Sequence, residues 1–424
     1  MRRVLKWVAA TLLLAILLIA GVAVALNYWV RTDDFRDRVS QQVATLLGVP
    51  VMLGGITVDV WPLPAVALEK VRIRSQPPLL LERIEARPEW GPLLRGQLEV
   101  ATLLVREAVI PQQAVAAIAA AFQKKQGPAK SRDASPNPAA SMAFLPRRMV
   151  FDQVTWINST GDKTTIDARA SLDEGSVTSA AVEVRKGRFE GAKAKLERQS
   201  DHWALRADIA SGTVTGKLQL QPGEQGASLL LGDFTSANVE VSALTAPSRT
   251  LSGRLDAQTT LRANLREPQA LTDTLQTQTR FTVRNAVVHG LDLAQAVRTV
   301  GLNRGGETRL DTLAGNVKTQ GRAIQLSNLV ATSGVLSANG NVAMTPSRSL
   351  SGNITVNLAA NSVGGAFGVP LVVGGTLDSP SVTLSRSALA GAAIGTLIAP
   401  GVGTGAGASL GGKVGEGLRG LFGK

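Results

Sequence analysis

Histidines, cysteines and paired carboxylates are the side chains most often recruited for catalysis, and this chain has few of them. It contains no cysteine, and its only histidines are His202 and His289. Without cysteine there is no disulfide, no Cys-ligated zinc, no iron–sulfur cluster and no thiol nucleophile. Two isolated histidines leave no multi-His metal site or relay, and both read as surface strand or turn residues. Asp173 and Glu174 are adjacent carboxylates in a segment that reads as a turn, where solvated acids are ordinary. Gly401-Val402-Gly403-Thr404-Gly405 and Gly411-Gly412-Lys413 resemble phosphate loops only superficially. Neither ends in the Gly-Lys-Ser/Thr that places a lysine and a magnesium ligand. No nucleophile elbow, His-Glu-x-x-His or EF-hand loop occurs. The expectation is a protein that is not an enzyme, with no catalytic residue, metal or cofactor.

Charge narrows the partners. The net charge of +13 suits anionic lipid headgroups or nucleic acid. The charges are scattered, however, and no run of five like charges occurs, so a merely basic soluble surface also accounts for them. Aromatic residues make up only 4%, with a single tyrosine, which supplies a stacking platform for single-stranded nucleic acid poorly. The partners expected are membrane lipids and, as a second class, envelope proteins. Nucleic acid is not expected, and the oligomeric state is open.

The elements that must position any site begin with a membrane segment. Arg2, Arg3 and Lys6 precede Trp7 to Val30, a run without a charged residue. Such a run reaches roughly 36 Å as a helix, enough to cross a bilayer. Basic residues in front place the N-terminus in the cytoplasm and the bulk of the chain outside it. A cleaved signal peptide is the competing reading, because Ala23-Val24-Ala25 offers small residues for cleavage. The length of the apolar run favours a retained anchor.

Next comes a short helix from Thr32 to Leu47, capped by Thr32 and stopped by Gly48 and Pro50, with Phe35, Val39, Val43 and Leu46 on one face. The plain reading of that stripe is packing on the sheet that follows. From Val51 the apolar period becomes two. Ile56, Val58 and Val60 alternate with polar residues, as do Val71 and Ile73, Ile84 and Ala86, and Leu103 and Val105. Pro111 to Gln126 reads as an alanine-rich helix. Residues 124–148 hold four prolines among small and basic residues and read as a linker. Beyond it the alternation returns, through Ile166 to Leu172, Trp203 to Ile209, Val214 to Leu220, Leu255 to Leu265, Ile354 to Leu358, and Val382 with Leu384. Strands of this kind bury one face and wet the other. Asp292 caps a short helical interruption ending at Gly301. Pro247-Ser248-Arg249-Thr250-Leu251-Ser252-Gly253 returns as Pro346-Ser347-Arg348-Ser349-Leu350-Ser351-Gly352. It is either a faint repeat of sheet segments or a chance recurrence of common turn chemistry.

The C-terminal residues 387–424 are glycine-rich. Gly391, Gly395, Gly403, Gly407, Gly411 and Gly415 recur at multiples of four, with Ala399 in the missing place. Small residues at that spacing let helices approach closely in or on a membrane, so a membrane-associating helical hairpin split at Pro400 is expected. The alternative is an unstructured glycine-rich tail.

Several soft motifs together resemble the AsmA-like family of bacterial envelope proteins. They are Leu47-Gly48-Val49-Pro50-Val51 with Gly55-Ile56 and Pro62-Leu63-Pro64, then Val288-His289-Gly290-Leu291-Asp292-Leu293. Leu336 to Val342 and Gly375-Thr376-Leu377-Asp378-Ser379-Pro380 resemble its closing strands. The resemblance implies a role in outer-membrane biogenesis and a long curved sheet whose apolar groove carries phospholipid. It implies an inner-membrane anchor with a periplasmic body. The fold expected is therefore mainly β: a transmembrane helix, then a long curved, largely antiparallel sheet with one apolar face, a few short helices and the glycine-rich tail. Its parts are residues 1–30 (tip and anchor), 31–123 (helix and first β segment), 124–148 (linker), 149–386 (β-rich body) and 387–424 (tail). The function expected is the holding or transfer of phospholipid acyl chains. The alternative is an assembly factor or scaffold for outer-membrane proteins or a secretion apparatus. Leu255, Leu261, Ile354, Val356 and Leu358 are the groove candidates. A large apolar face must be bound by something or folded onto itself in two layers.

Overall fold

The computed structural model describes residues 32–388 except 60–64, 90, 93–94, 96–98, 127–145, 174, 223–227, 265–273, 299–304, 335, 359–367 and 386–387. The apolar run Trp7–Val30, most of the proline-rich linker and the glycines Gly391 to Gly415 lie outside the described residues. Among the described residues no helix is long and apolar enough to cross a membrane. The protein is mainly β, built of open and mostly antiparallel sheet with few helices, and divides into two compact units, residues 1–198 and 199–424.

The first unit opens with α1 (Asp33–Leu47). Thr32 caps it: its Oγ1 accepts the N–H of Phe35 at 3.4 Å, and Asp33 and Asp34 sit in the first turn, where the helix dipole favours anions. Gly48 ends it at φ 73°, a left-handed backbone that costs glycine little. A side chain at Gly48 would also press on the Ala121 carbonyl, 3.3 Å from the position of its Cβ. The stripe Phe35, Val39 and Val43 packs on a core of Val51, Leu53, Ile56 and Val71. That core belongs to β1 (Val51–Met52), β2 (Gly55–Asp59), β3 (Ala65–Ile73), β4 (Leu79–Pro88) and β5 (Val100–Pro111). The chain then crosses over through α2 (Gln112–Gln126) and returns as β6 (Arg148–Ile157), parallel to β5. Parallel neighbours require such a crossover, and the strands before and after the proline-rich segment belong to one sheet. Antiparallel strands β7 (Lys163–Asp173), β8 (Ser176–Lys186) and β9 (Lys193–Arg198) complete the unit. Asp173 ends β7 just before the turn into β8.

The polar face of this sheet holds one buried carboxylate. Glu85 is 4% exposed and accepts from Arg87 Nε at 2.6 Å and Arg83 Nε at 3.3 Å. Burial pushes its pKa up, but the hydrogen bonds and charges of Arg87 and Arg83 outweigh it and hold the group below the ordinary carboxylate value.

The second unit is an antiparallel meander. It comprises β10 (Trp203–Ile209), β11 (Gly212–Pro222), β12 (Ser228–Glu240), β13 (Leu251–Asn264), β14 (Gln276–His289), β15 (Glu307–Gln320), β16 (Ala323–Thr332), β17 (Leu336–Met344), β18 (Leu350–Leu358), β19 (Gly368–Thr376) and β20 (Ser379–Leu384). Each strand pairs with the next in sequence. Two short helices interrupt it, α3 (Val241–Thr245) between β12 and β13 and α4 (Leu293–Arg298) between β14 and β15. Asp292 caps α4 through the N–H of Gln295 at 2.9 Å. The buried Thr308 hydroxyl accepts the N–H of Leu293 and donates to the Leu291 carbonyl.

A single device bends strands in both units. Gln153, Asn238 and Asn328 each adopt φ between 52° and 56° at a bulge. In each case the bulged N–H donates to a side-chain oxygen of the following strand: Asp167 at 2.9 Å, Asp256 at 2.9 Å and Asn341 at 3.0 Å. A bulge adds local twist, and the oxygen satisfies the N–H that the ladder no longer uses.

The repeat is also structural. Arg249 and Arg348, equivalent in the two copies, both have positive φ, and each copy leads into a strand, β13 or β18. The copies meet. Ser248 of the first donates to Asp378 in the β19–β20 turn, and Arg348 of the second reaches the same carboxylate at 3.0 Å.

Candidate functional site

Residues directly opposite each other in a ladder share a face. Following the pairs across the second unit gives one continuous apolar face. It runs through Trp203, Leu218, Gly232, Leu261 and Thr277, and elsewhere through Leu336, Leu358, Ile354 and Leu371. The opposite face is mainly polar, for example Thr215, Thr235, Gln258, Arg280, Asn316 and Ser327 in direct succession, with Leu229 and Leu231 of β12 as apolar interruptions.

The apolar face has two regimes. Around α3 and α4 it closes into a dry core containing Val283, Ala286, Leu293, Leu310, Val356 and Leu371. Val356 is 0% exposed and Leu371 1%. Ile354, Leu358 and Leu255 pack against this cluster as partly buried residues. Leu261 does not join it. It lies opposite Gly232 on β12, in the stretch built from β10, β11, β12 and the far half of β13. There Trp203, Leu205, Val214, Leu218, Leu230 and Leu261 are only half-buried, and Leu220 is 46% exposed. The five groove candidates therefore separate, four with the core and one on the open stretch.

Small residues shape the open stretch. Phe234 lies over two glycines: a Cβ on Gly216 would come 2.5 Å from its ring, and one on Gly232 2.7 Å. The aromatic ring fills what the glycines leave, so the surface there is smooth as well as apolar.

The two histidines differ. His202, expected at the surface, has a side chain only 11% exposed; its Nδ1 is 2.7 Å from Asp201 Oδ1, and its Nε2 is buried without a hydrogen-bond partner among the described residues. His289 bridges Ser252 Oγ, 3.1 Å from Nε2, and Glu307 Oε1, 3.2 Å from Nδ1. This Ser–His–Glu order was not apparent in the sequence, because the three residues lie on three different strands. It has the connectivity of a nucleophile, base and orienting acid. Acyl transfer also needs donors for the oxyanion. The backbone N–H of the next residue, Gly253, is already donated to Glu240 Oε1 at 3.2 Å. Burial pushes the Glu240 pKa up, but the N–H groups of Gly253 and Ser242 outweigh it and hold the carboxylate ionised. His289 and Glu307 are 39% and 48% exposed, so the array is hydrated and reads as a cross-strand polar contact.

A cavity of about 890 Å³ lies against β11 to β16. Most of its lining, including Lys217, Thr235, Gln258, Arg280 and Lys318, belongs by register to the polar face. Sequence alternation marked that face only as wet. Among the described residues no group of three His, Cys, Asp or Glu side chains is placed to hold a metal ion.

Residues 1–142 match the model of the AsmA family. The match covers the beginning of the first unit and ends before β6, so the open stretch lies outside it. No curated protein and no solved structure matches the chain.

Proposed function

We propose that this chain, whose residues 1–142 match the AsmA family, is an AsmA-like protein that serves envelope biogenesis by holding phospholipid acyl chains on the apolar face of its second unit. The chain is anchored in the inner membrane by residues 7–30, with its bulk in the periplasm. The observation that carries the reading is the change along one face from dry core to half-exposed apolar surface. The face is continuous by register, and the closed core lies under α3 and α4, whereas on the stretch of β10 to β12 the small Gly232 and, beside it on β13, Ala263 are buried but the large apolar side chains remain partly exposed. A contiguous apolar surface left to water is unfavourable by about 25 cal/mol per Å², and acyl chains near a membrane are the natural cover.

The occupied portion is the stretch around Leu218, Leu230 and Leu261, and Val356 belongs to the protein's own core. Purification from membranes followed by lipid mass spectrometry tests the reading. The wild type carries phospholipid, and Leu218→Asp and Leu261→Asp lose it at unchanged folded yield, because a charge resists transfer into hydrocarbon. A wild type without lipid, or variants that keep it, would contradict the proposal. The scaffold reading draws on the closed half, where α3 and α4 pack on the apolar face and hide it.

A further inference from the structure

The polar face opposite the open stretch carries a feature that acyl-chain holding does not use. Arg280 on β14 lies directly opposite Asn316 on β15, and Lys318 is two residues further along β15. Diagonal neighbours of this kind are about 7–8 Å apart at Cα, within converging reach of two long side chains. Gln278 lies opposite Lys318, and Ser327 on β16 lies opposite Asn316. Five hydrogen-bond donors therefore share one patch at one end of the cavity, and all five line it.

The patch lacks a competing anion. Asp256, diagonal to Arg280 across β13, is engaged by Arg284 at 2.9 Å and by the N–H of Asn238 at 2.9 Å. Asp233, the carboxylate in the cavity lining, lies opposite Lys217 on β11, three strands from Lys318. Among the described residues Arg280 and Lys318 form no ion pair, whereas Arg185, Arg254 and Arg284 on the same kind of surface each do.

We propose that Arg280 and Lys318 form a clamp for a phosphate group, with Asn316, Ser327 and Gln278 supplying neutral hydrogen bonds beside them. A guanidinium binds phosphate as a planar fork, and the adjacent ammonium adds a point charge. The cavity is within the range that houses whole small ligands, so the phosphate belongs to an organic molecule rather than to a free ion. Its source is either a soluble phosphate ester or a phospholipid headgroup, and one chemistry serves both. The clamp and the acyl-chain surface lie on opposite faces of the sheet, so the two stand or fall separately.

The test uses the full chain in a maltoside detergent, which carries no phosphate. Glycerol 3-phosphate is titrated calorimetrically, and binding to vesicles of phosphatidylglycerol is compared with binding to vesicles of digalactosyldiacylglycerol, which lack phosphate. Saturable binding of glycerol 3-phosphate assigns a soluble ester, and binding confined to phosphatidylglycerol assigns a headgroup; either supports the clamp. Loss of one charge-assisted contact is expected to weaken binding about tenfold in Arg280→Gln and in Lys318→Gln. Arg280→Lys is expected to recover only part of the loss, because it keeps the charge without the fork. Arg169→Gln, an exposed basic residue of β7 in the first unit, is expected to bind as the wild type does. All of these side chains are exposed, and thermal melts identify any variant that fails to fold. Absence of saturable binding to both probes, or Gln variants that bind as tightly as the wild type, would overturn the proposal.

Discussion

Val356→Ala and Leu261→Ala together separate dry core from open surface, because the smaller deletion is predicted to cost more. Val356→Ala removes two methyl groups from a side chain that is 0% exposed and packed in the cluster with Val283, Leu293 and Leu371. At about 0.8 kcal/mol per buried carbon the transfer loss is about 1.6 kcal/mol, and the enclosed void raises the total to about 2–3 kcal/mol. Leu261→Ala removes three carbons. Leu261, however, is half-buried and faces Gly232 rather than a closed core, so about half of the transfer value applies and no closed cavity remains. The cost is about 1 kcal/mol. The assay is equilibrium urea unfolding of the full-length protein in detergent, with the midpoint shift read at constant m-value. The reasoning is refuted if Leu261→Ala costs as much as Val356→Ala, because Leu261 would then also be core.

The bulges yield further expectations. Asp167→Ala leaves the Gln153 N–H without its acceptor and Arg185 without its partner, and is expected to cost about 1–2 kcal/mol, with faster hydrogen exchange at Gln153. Asp167→Asn is expected to be milder, since Asn341 does the same work uncharged at the Asn328 bulge. The Gln153 N–H, followed by the Arg185 guanidinium, holds the Asp167 pKa below its ordinary value of 3.8. A lowered folded pKa gives stability that is full above the unfolded pKa and lost as pH falls through the folded one. Acid melts from pH 5 downward should therefore fall less steeply in Asp167→Asn than in the wild type. Glu85 works in the same direction, and Glu85→Gln is expected to cost about 1–2 kcal/mol by chemical denaturation, discounted because Arg83 and Arg87 are 30% and 39% exposed. Asp378→Ala breaks the contact that joins the two repeat copies. Both ionic partners are about half exposed, so a loss below about 1 kcal/mol is expected in the same assay.

Alternation made the strands readable. Ile354, Val356 and Leu358 share a face because a strand has period two, and the sequence is sufficient to state it. The caps were readable too: Thr32, Gly48 and Asp292 act where their chemistry predicts. What covers a face is a long-range fact, so Val356 and Leu261 look alike in sequence and differ in the structure. The bulges were hidden because Asn238 and Asn328 read as ordinary polar strand residues, and their acceptors lie 18 and 13 positions away. The parallel pairing of β5 with β6 was hidden for a related reason: a helix followed by prolines reads as a boundary, although the strands on either side can still pair. The Arg280 and Lys318 patch depends on register across two strands, which periodicity alone does not fix.

The central claim is that one face of the second unit meets lipid over part of its length. Site-specific photo-crosslinking in native membranes tests it residue by residue, using a crosslinker placed in turn at Leu218, Leu261, Arg262 and Val356. The account predicts phospholipid adducts at positions 218 and 261. It predicts none at 262, which neighbours 261 but lies on the other face of β13 and outside the cavity lining, and none at 356, which is sealed in protein. Equal labelling at 262 and 261, or no lipid adduct at 218 and 261, would contradict it.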